Sequence, residues 1–320
     1  MANYNINDVY KDINTINNYF SEEKVGGSTI QRTNPIINKY CHYGNTSGNG
    51  NCRDYIQRAS SGVIYLLKTL KDNYNLEYDK LAEYAILWLR YKLNQTAPYH
   101  NTKLNDFYTN HIEKNNDYNK KIKDDDNDSL TYKEIINKKN DLMNIKEMTN
   151  FSYPFGILIY MYNATNANKL DCKKYSNSAS QFAIRFKELN KDSNNIEGSS
   201  YNKILSTISN DYDNLKKKCN NFSSLPKIDP KKRPAQKYVE IPVDNSGKGS
   251  GQPTALSSEV TSSSSSILST LIPGLSVVSV IPVFLGIAYK YSLFGVDKLF
   301  QRQYIRKKLK KVKKKMKLNI

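Results

Sequence analysis

The stretch 63–91, VIYLLKTLKDNYNLEYDKLAEYAILWLRY, decides the fold because apolar residues recur in it at helical spacing. Side chains at i, i+3, i+4 and i+7 share one face of an α-helix. The first half of the stretch places five residues on such a face: Val63, Leu66, Leu67, Leu70 and Tyr74. The second half repeats the pattern with Leu81, Tyr84, Leu87, Trp88 and Tyr91. The stretch therefore predicts two amphipathic helices that bury these faces in a core.

The same spacing recurs further along the chain. Phe182, Phe186 and Leu189 mark a third helix. A fourth begins at the capping residues Ser199 and Ser200 and carries Tyr201, Ile204, Leu205, Ile208, Tyr212 and Leu215. No convincing strand alternation is present, so residues 5 to about 222 are predicted to form an all-α bundle. The chain has 25 Tyr and one Trp, so tyrosine is the expected large core residue, and each buried hydroxyl needs a polar partner.

The net charge of +18 over 320 residues is concentrated at the C-terminus. Residues 290–320 carry 12 Lys or Arg against one acidic residue, Asp297, whereas residues 1–289 carry 36 basic and 29 acidic residues. Because the main part of the chain is only mildly basic, its charge gives no case for nucleic-acid binding.

Residues 267–289 form an uncharged run of 23 residues. As a helix this run spans about 35 Å, enough to cross a hydrocarbon core of about 30 Å. Pro273 and Pro282 are tolerated in such a helix where neighbouring hydroxyls satisfy the freed carbonyls. We therefore predict a transmembrane helix at 267–289, preceded at 223–266 by a disordered linker rich in Pro, Ser and Gly.

The charges that flank the apolar run predict its orientation. One basic residue, Lys248, lies within twenty residues before it, and 12 follow it. The positive-inside rule therefore places the tail 290–320 in the cytosol and the helical domain 1–222 outside. Apolar residues at helical spacing in the tail predict an amphipathic helix on an anionic inner leaflet. Its membrane-surface lysines are Lys307, Lys308, Lys310, Lys311, Lys313, Lys314 and Lys315.

The four cysteines, Cys41, Cys52, Cys172 and Cys219, all precede the apolar run. An even number of cysteines before a membrane span suits two disulfides in an oxidising compartment. Four unrelated buried thiols are the alternative. A zinc site is disfavoured because no C-x-x-C pair occurs and only His42 lies beside a cysteine.

Two loops resemble ligand-binding motifs but fail in detail. The acidic loop at 124–128 has the alternate spacing of a calcium loop, but Ser129 and Ile135 stand where such a loop needs Gly and Glu. The Gly-rich segment GNTSGNG at 44–50 follows no predicted strand and lacks a following Lys-Ser or Lys-Thr. A solvated loop and a disulfide-closed loop are the better accounts of these two segments.

The sequence offers little material for catalysis. It contains three histidines, His42, His100 and His111, and neither a G-x-S-x-G nor an H-E-x-x-H motif. We therefore expect no catalytic, cofactor-binding or metal site, and a protein that is not an enzyme.

Several stretches together resemble one family. They are YC at 40–41 with Cys52, YAILWLRYKLNQ at 84–95, LNDFYTNHI at 104–112, INKKNDLMNI at 136–145, residues 155–162, Cys172, NNIEGSSYNKILSTISNDYDNLKKKC at 194–219, and SILSTLIPGLSVVSVIPVFLGIAYKYSLFGVDKLFQRQYIRKKLKKVKKKM at 266–316. They cover nearly the whole chain and are similar to the Plasmodium interspersed repeat (PIR) proteins, in the rodent-malaria branch of CIR, YIR and BIR variant antigens.

The resemblance implies a disulfide-stabilised helical ectodomain, a linker, a single span and a short basic cytosolic tail. It also implies a variant surface antigen of a multigene family, exported to the infected red cell or displayed at parasite membranes, with roles in adhesion and immune evasion. Members commonly lack an ordinary signal peptide, and we expect none here because the first twenty residues contain no uninterrupted apolar segment. The expected partners are the membrane and an unknown host cell-surface protein, and no binding residues carry over.

Two departures from the family bear on the disulfides. Members usually have cysteines where this chain has Val9 and Ile159, and their joint loss is expected if those two positions normally bond to each other. The resemblance then implies that the remaining cysteines pair as Cys41–Cys52 and Cys172–Cys219.

The leading hypothesis is a binding and antigenic surface protein without catalysis. One alternative is a membrane-anchored trafficking or scaffold protein inside the infected cell. A divergent hydrolase would need a cleft with converging His, Ser or Cys, and a carrier of lipid or haem would need a sizeable apolar cavity.

Overall fold

A computed structural model describes residues 4–25, 28–43, 50–96, 98–123 and 128–232. The predicted linker beyond residue 232, the apolar run at 267–289 and the basic tail lie outside these residues. Most of the Gly-rich segment and most of the acidic loop do so as well.

Eight α-helices make up most of the described chain: α1 (Ile6–Asn17), α2 (Tyr55–Tyr74), α3 (Tyr78–Asn94), α4 (Leu104–Phe107), α5 (Tyr132–Asn137), α6 (Ser152–Asn166), α7 (Cys172–Asn190) and α8 (Ser200–Lys216). Short 3-10 segments connect them at Pro35–Tyr40, Tyr99–Asn101, Asn116–Asn119, Asn140–Asn144 and Lys146–Phe151, and a π-helical turn spans Tyr108–Ile112. The prediction of a mostly helical domain is confirmed.

Side-chain caps explain where five of these helices begin. A residue just before the helix accepts a hydrogen bond from a backbone N–H of the first turn, which satisfies a donor that has no partner inside the helix. These residues are Asn5, Asp54, Thr131, Asp171 and Ser199 for α1, α2, α5, α7 and α8. The predicted start of α8 at Ser199 is therefore confirmed.

The predicted apolar faces are the buried ones. The stripe residues of α2 and α3 are less than 1% exposed, except Tyr74 and Tyr91, which pack against the core as partly buried residues. The stripes of α7 and α8 are buried as well. Burial of each large apolar side chain is worth about 1.5–3 kcal/mol, so these faces supply much of the driving force for the bundle.

Helix α6 lies at the centre of the domain. It packs against α1, α3, α7 and α8, and ten of its 15 residues are buried. A helix contacted on so many sides is apolar nearly all round. Because its apolar residues are not confined to one face, helical spacing in the sequence does not identify α6.

A β-hairpin corrects the prediction that the domain has no strands. Strand β1 (Phe20–Val25) pairs antiparallel with β2 (Ser28–Thr33). Phe20 is buried, whereas every residue of β2 is exposed. Hydrophobic alternation arises only where one face of a strand is covered, so this hairpin leaves no alternating pattern in the sequence. The prediction was wrong because the hairpin is held by backbone pairing and by polar contacts such as Glu22 with Arg58, 3.7 Å apart.

The folded region extends beyond the predicted domain boundary at residue 222. Leu225 and Ile228 pack against the core as partly buried residues. The backbone N–H of Lys231 donates to the Asn195 carbonyl at 2.8 Å, and the Lys231 carbonyl accepts from Glu197 N–H at 2.9 Å. Residues 223–232, which we call the C-terminal strap, therefore belong to the helical domain.

Candidate functional site

Two disulfides cross-link segments of the helical domain. Cys41 bonds to Cys52, with a Cα–Cα distance of 5.3 Å, and ties the Pro35–Tyr40 segment to the start of α2. Cys172 bonds to Cys219, with a Cα–Cα distance of 5.4 Å, and joins the first residue of α7 to the chain just after α8. Both pairs that the family resemblance implies are bonded, and the described residues include no free cysteine.

A buried carboxylate, Asp211, lies where four helices meet. Its Oδ2 accepts a hydrogen bond from Tyr10 Oη at 2.8 Å, and Tyr84 Oη donates to the same carboxylate at 3.1 Å. Tyr162 Oη donates to the backbone oxygen of Asp211 at 2.6 Å. The Tyr10 and Tyr162 rings stack with centroids 4.2 Å apart. We call these four residues the Asp211 cluster; it links α1, α3 and α6 to α8 through one polar group.

The protonation of the Asp211 cluster follows from its burial. Burial raises the pKa of Asp211 to about 7, although the hydrogen bonds from Tyr10 and Tyr84 lower it. Burial and the nearby carboxylate raise the pKa of both tyrosines well above their usual range. Because a desolvated tyrosinate is strongly disfavoured, these tyrosines stay protonated and act as hydrogen-bond donors.

A second buried carboxylate, Glu83, lies on α3 beside this cluster. It accepts hydrogen bonds from Thr207 Oγ1 and from Lys80 Nζ, the latter at 2.8 Å. Lys139 Nζ lies 3.3 Å from Glu83 and 3.0 Å from Asp79. Buried charges persist when they are paired and hydrogen-bonded, and these pairs join α3 to α8 and to the chain that follows α5.

Lys92 is a buried lysine, and no carboxylate of the described residues forms an ion pair with its ammonium group. Its Nζ donates to the backbone oxygens of Asn17, at 2.6 Å, and Phe20, at 2.7 Å, and lies 4.1 Å from the Phe20 ring centroid. Burial lowers the pKa of Lys92 to about 7. Carbonyl oxygens at a helix C-terminus attract cations, so Lys92 fixes the end of α1 and the start of the hairpin against α3.

The three histidines make separate structural contacts. His42 Nδ1 lies 2.7 Å from the buried carboxylate of Asp117. His111 packs beside the Phe107 ring, and burial lowers its pKa. The backbone oxygen of His100 accepts from Arg90 at 2.9 Å. In the described part of the chain, no group of His, Cys, Asp and Glu side chains could hold a metal ion.

Two surface depressions in the described residues are lined by no buried titratable group. One is a polar depression on the last turns of α8, lined by Asn210, Asp213, Asn214, Lys216, Lys217 and Asn220. The other is a groove between α7 and the C-terminal strap. The four residues of the Asp211 cluster are buried, and their hydrogen bonds hold four helices together.

The sequence contained one signal for this cluster. Asp211 lies three residues after Ile208 and directly before Tyr212, within the apolar stripe predicted for α8. A carboxylate on a buried helical face needs a polar partner. Its partners Tyr10 and Tyr84 lie 201 and 127 residues away along the chain, so the sequence alone does not identify them.

The described helices and the membrane prediction concern different parts of the chain. Within residues 4–232, no helix is both long enough and apolar enough to cross a bilayer. The predicted span at 267–289 and its membrane-surface lysines lie outside the described residues.

Comparisons with known proteins identify one family. The model of the family described as Plasmodium variant antigen protein Cir/Yir/Bir matches residues 10–290. Among solved structures, a Plasmodium PIR protein ectodomain is similar at 31% identity, over 71% of this chain and 98% of that chain, with a TM-score of 0.48. A comparison with curated proteins yields no match.

Proposed function

This chain belongs to the Plasmodium Cir/Yir/Bir family of variant antigens, and from that membership we propose that it is a non-enzymatic surface antigen that acts in host-cell interaction and immune evasion. The observation that carries the proposal is the length of the family match. The match runs from α1 through the linker and the apolar run at 267–289 to residue 290. It therefore covers the ectodomain together with its predicted anchor.

The construction of the domain supports display outside a reducing cytosol. Its two disulfides, Cys41–Cys52 and Cys172–Cys219, are stable where thiols are oxidised. The interior is occupied by packed aromatic side chains such as Trp88, Tyr84 and Tyr162, each fully buried. Such an interior suits a rigid scaffold whose surface carries the function, because surface residues change without cost to the core.

The proposed topology follows from charge and hydropathy. The helical domain faces the outside of an infected red cell or parasite membrane, residues 267–289 span the bilayer, and the tail lies on the anionic inner leaflet. The partner on the outside is a host cell-surface protein. The alternative is an internal membrane-anchored scaffold, for which the basic tail is the supporting feature.

Antibody labelling of intact infected cells tests this topology. One antibody is raised against the exposed strand Ser28–Thr33 and another against the tail segment 307–315. We expect the first to label intact cells and the second to label only permeabilised cells. Labelling of the strand only after permeabilisation would contradict surface display and favour the internal scaffold.

A further inference from the structure

Two lysine-rich segments that are distant in sequence meet at one end of the domain. Lys169, Lys173 and Lys174 flank the start of α7, and Lys216, Lys217 and Lys218 end α8. The Cys172–Cys219 disulfide lies between them and bridges 47 residues of sequence. A hydrogen bond from Asn221 Nδ2 to the Cys172 carbonyl, at 3.0 Å, further fixes the two helix ends together. We call these six lysines and the disulfide the basic end.

Among the described residues, none of the six lysines of the basic end takes part in an ion pair. Lys216 and Lys218 donate to neutral acceptors, the Phe222 carbonyl and the Asn7 side chain. The Asp171 carboxylate accepts from two backbone N–H groups of α7 at 3.0 and 3.2 Å. This aspartate is therefore engaged as the helix cap.

The surroundings of the basic end are polar. The depression on α8 lies directly beside it and presents the amides of Asn210, Asn214 and Asn220 together with Lys216, Lys217 and the carboxylate of Asp213. Of the large apolar side chains that are exposed in the described residues, Ile30, Ile36 and Tyr153 lie on other segments, and Ile184 lies on α7 about 18 Å along the helix from Cys172. Insertion into a bilayer requires an apolar face, and binding of single-stranded nucleic acid relies on exposed aromatic rings. Lysine ammonium groups and amides instead suit a ligand with repeated anionic and hydroxyl groups.

We propose that the basic end is a binding site for a linear sulfated polysaccharide. Lysines from both helices contact successive sulfate groups, and the asparagines of the depression donate to sugar hydroxyls. The disulfide is a positioning element because it holds the two halves of the site together. The use of this site on host cells rests on the proposed surface display, whereas the binding itself does not.

Binding of heparin by the full-length chain in zwitterionic nanodiscs tests the proposal. The seven membrane-surface lysines are replaced by Gln in every sample, so that the tail cannot supply the affinity. The test variant is K169Q/K173Q/K174Q/K217Q. The matched control is K103Q/K146Q/K191Q/K203Q, which removes four exposed lysines elsewhere on the domain.

We expect the test variant to bind immobilised heparin at least about tenfold more weakly, since four exposed charge contacts are each worth a few tenths of a kcal/mol or more. The control should stay within about twofold of the parent. Chemically desulfated heparin should not bind, and added salt should weaken the parent more than the test variant. Equal losses in the two variants, or equal binding of desulfated heparin, would overturn the proposal.

Two variants, each lacking one of the two disulfides, test whether the Cys172–Cys219 disulfide positions the lysines. C172S/C219S should lose heparin affinity, and C41S/C52S, which removes the other disulfide, should keep it. Circular dichroism checks that each variant is folded; if C172S/C219S unfolds, the lysine variants alone decide the outcome.

Vesicles of phosphatidylserine and phosphatidylcholine serve as a second probe, and a basic end that binds them but not heparin would also overturn the proposal. Failure of heparin binding leaves the antibody result unaffected, so the two proposals fail separately.

Discussion

At the scale of single residues, Asp211 is the most consequential polar group in the core. It is 5% exposed and its carboxylate is held by two tyrosine hydroxyls rather than by a cation. Hydrogen bonds from neutral donors offset only part of the desolvation of a carboxylate. The folded protein therefore favours the protonated acid.

This preference makes stability depend on pH. The ordinary pKa of Asp211 is 3.8 and burial raises it to about 7 in the folded protein, so between these values the folded state holds a proton that the unfolded state releases. The free energy of unfolding then falls by up to about 4 kcal/mol as pH rises from about 4 to about 7. Above pH 7 the contribution of Asp211 no longer changes with pH. We expect D211N to remove this fall, as measured by urea unfolding at several pH values. The control is D213N, which removes an exposed carboxylate on the same helix. If the stability of D211N fell with pH as steeply as that of the parent, Asp211 would not be the source of the pH dependence.

Gly62 shows how close packing constrains one position. A Cβ built there would lie 2.3 Å from the outer edge of the Trp88 ring, which is itself fully buried. Replacement of a helical glycine by alanine normally stabilises a helix by about 0.5–1 kcal/mol.

We expect G62A to destabilise this domain instead, by about 1–3 kcal/mol, because the added methyl overpacks the α2–α3 contact. Thermal unfolding of G62A measures the effect. The double variant G62A/W88F serves as the control, since a smaller ring should relieve the clash and make the two changes less than additive. A stabilised G62A would refute the close contact.

At the scale of helices, the packing of α1 on α6 concerns the two positions, Val9 and Ile159, where the family resemblance leads us to expect cysteines. The Tyr10 ring contacts Phe155, at 6.0 Å between centroids, and Tyr162, at 4.2 Å. Ile159 lies between these two residues on the same face of α6. Val9 adjoins Tyr10, and both Val9 and Ile159 are buried. Because α1 packs against α6, we expect the buried Val9 and Ile159 to lie at the contact between these two helices.

We expect V9C/I159C to form a disulfide during oxidative refolding and to stabilise the domain by about 2–4 kcal/mol. Peptide mapping under non-reducing conditions identifies the bond. In the control V9C/I157C, the second cysteine lies about 200° round α6 from position 159, on another face of the helix. This control should therefore form no disulfide. Linkage in the control but not in V9C/I159C would show that the contact between α1 and α6 has a different register.

At the scale of the whole molecule, the C-terminal strap is bonded to the helical domain. The Ser223 carbonyl accepts a hydrogen bond from the buried Tyr212 hydroxyl at 2.8 Å, and the Lys227 carbonyl accepts from Asn190 at 2.8 Å. Removal of the strap would leave the Tyr212 hydroxyl without this partner and expose the surface covered by Leu225 and Ile228.

We expect a chain that ends after Phe222 to be less stable than one that ends after Lys232, by about 2 kcal/mol or more. Urea unfolding of the two chains measures the difference. A chain that ends after Ala235 should match the one that ends after Lys232. Equal stability of all three chains would show that the strap contributes nothing.

Features that depend on local order could be predicted from the sequence. Helical spacing identified the buried faces of α2, α3, α7 and α8, and a serine before an apolar run identified the start of α8, because both signals arise within one or two turns of chain. The remaining features depend on contacts between distant parts of the chain. The hairpin has one exposed strand and no alternating pattern, and α6 is apolar on most of its sides. The protonation of Asp211 and the meeting of two lysine segments at the basic end depend on partners 47 to 201 residues apart. Such contacts leave no periodic trace in a single chain, because the partner of a side chain is set by the packing of whole helices.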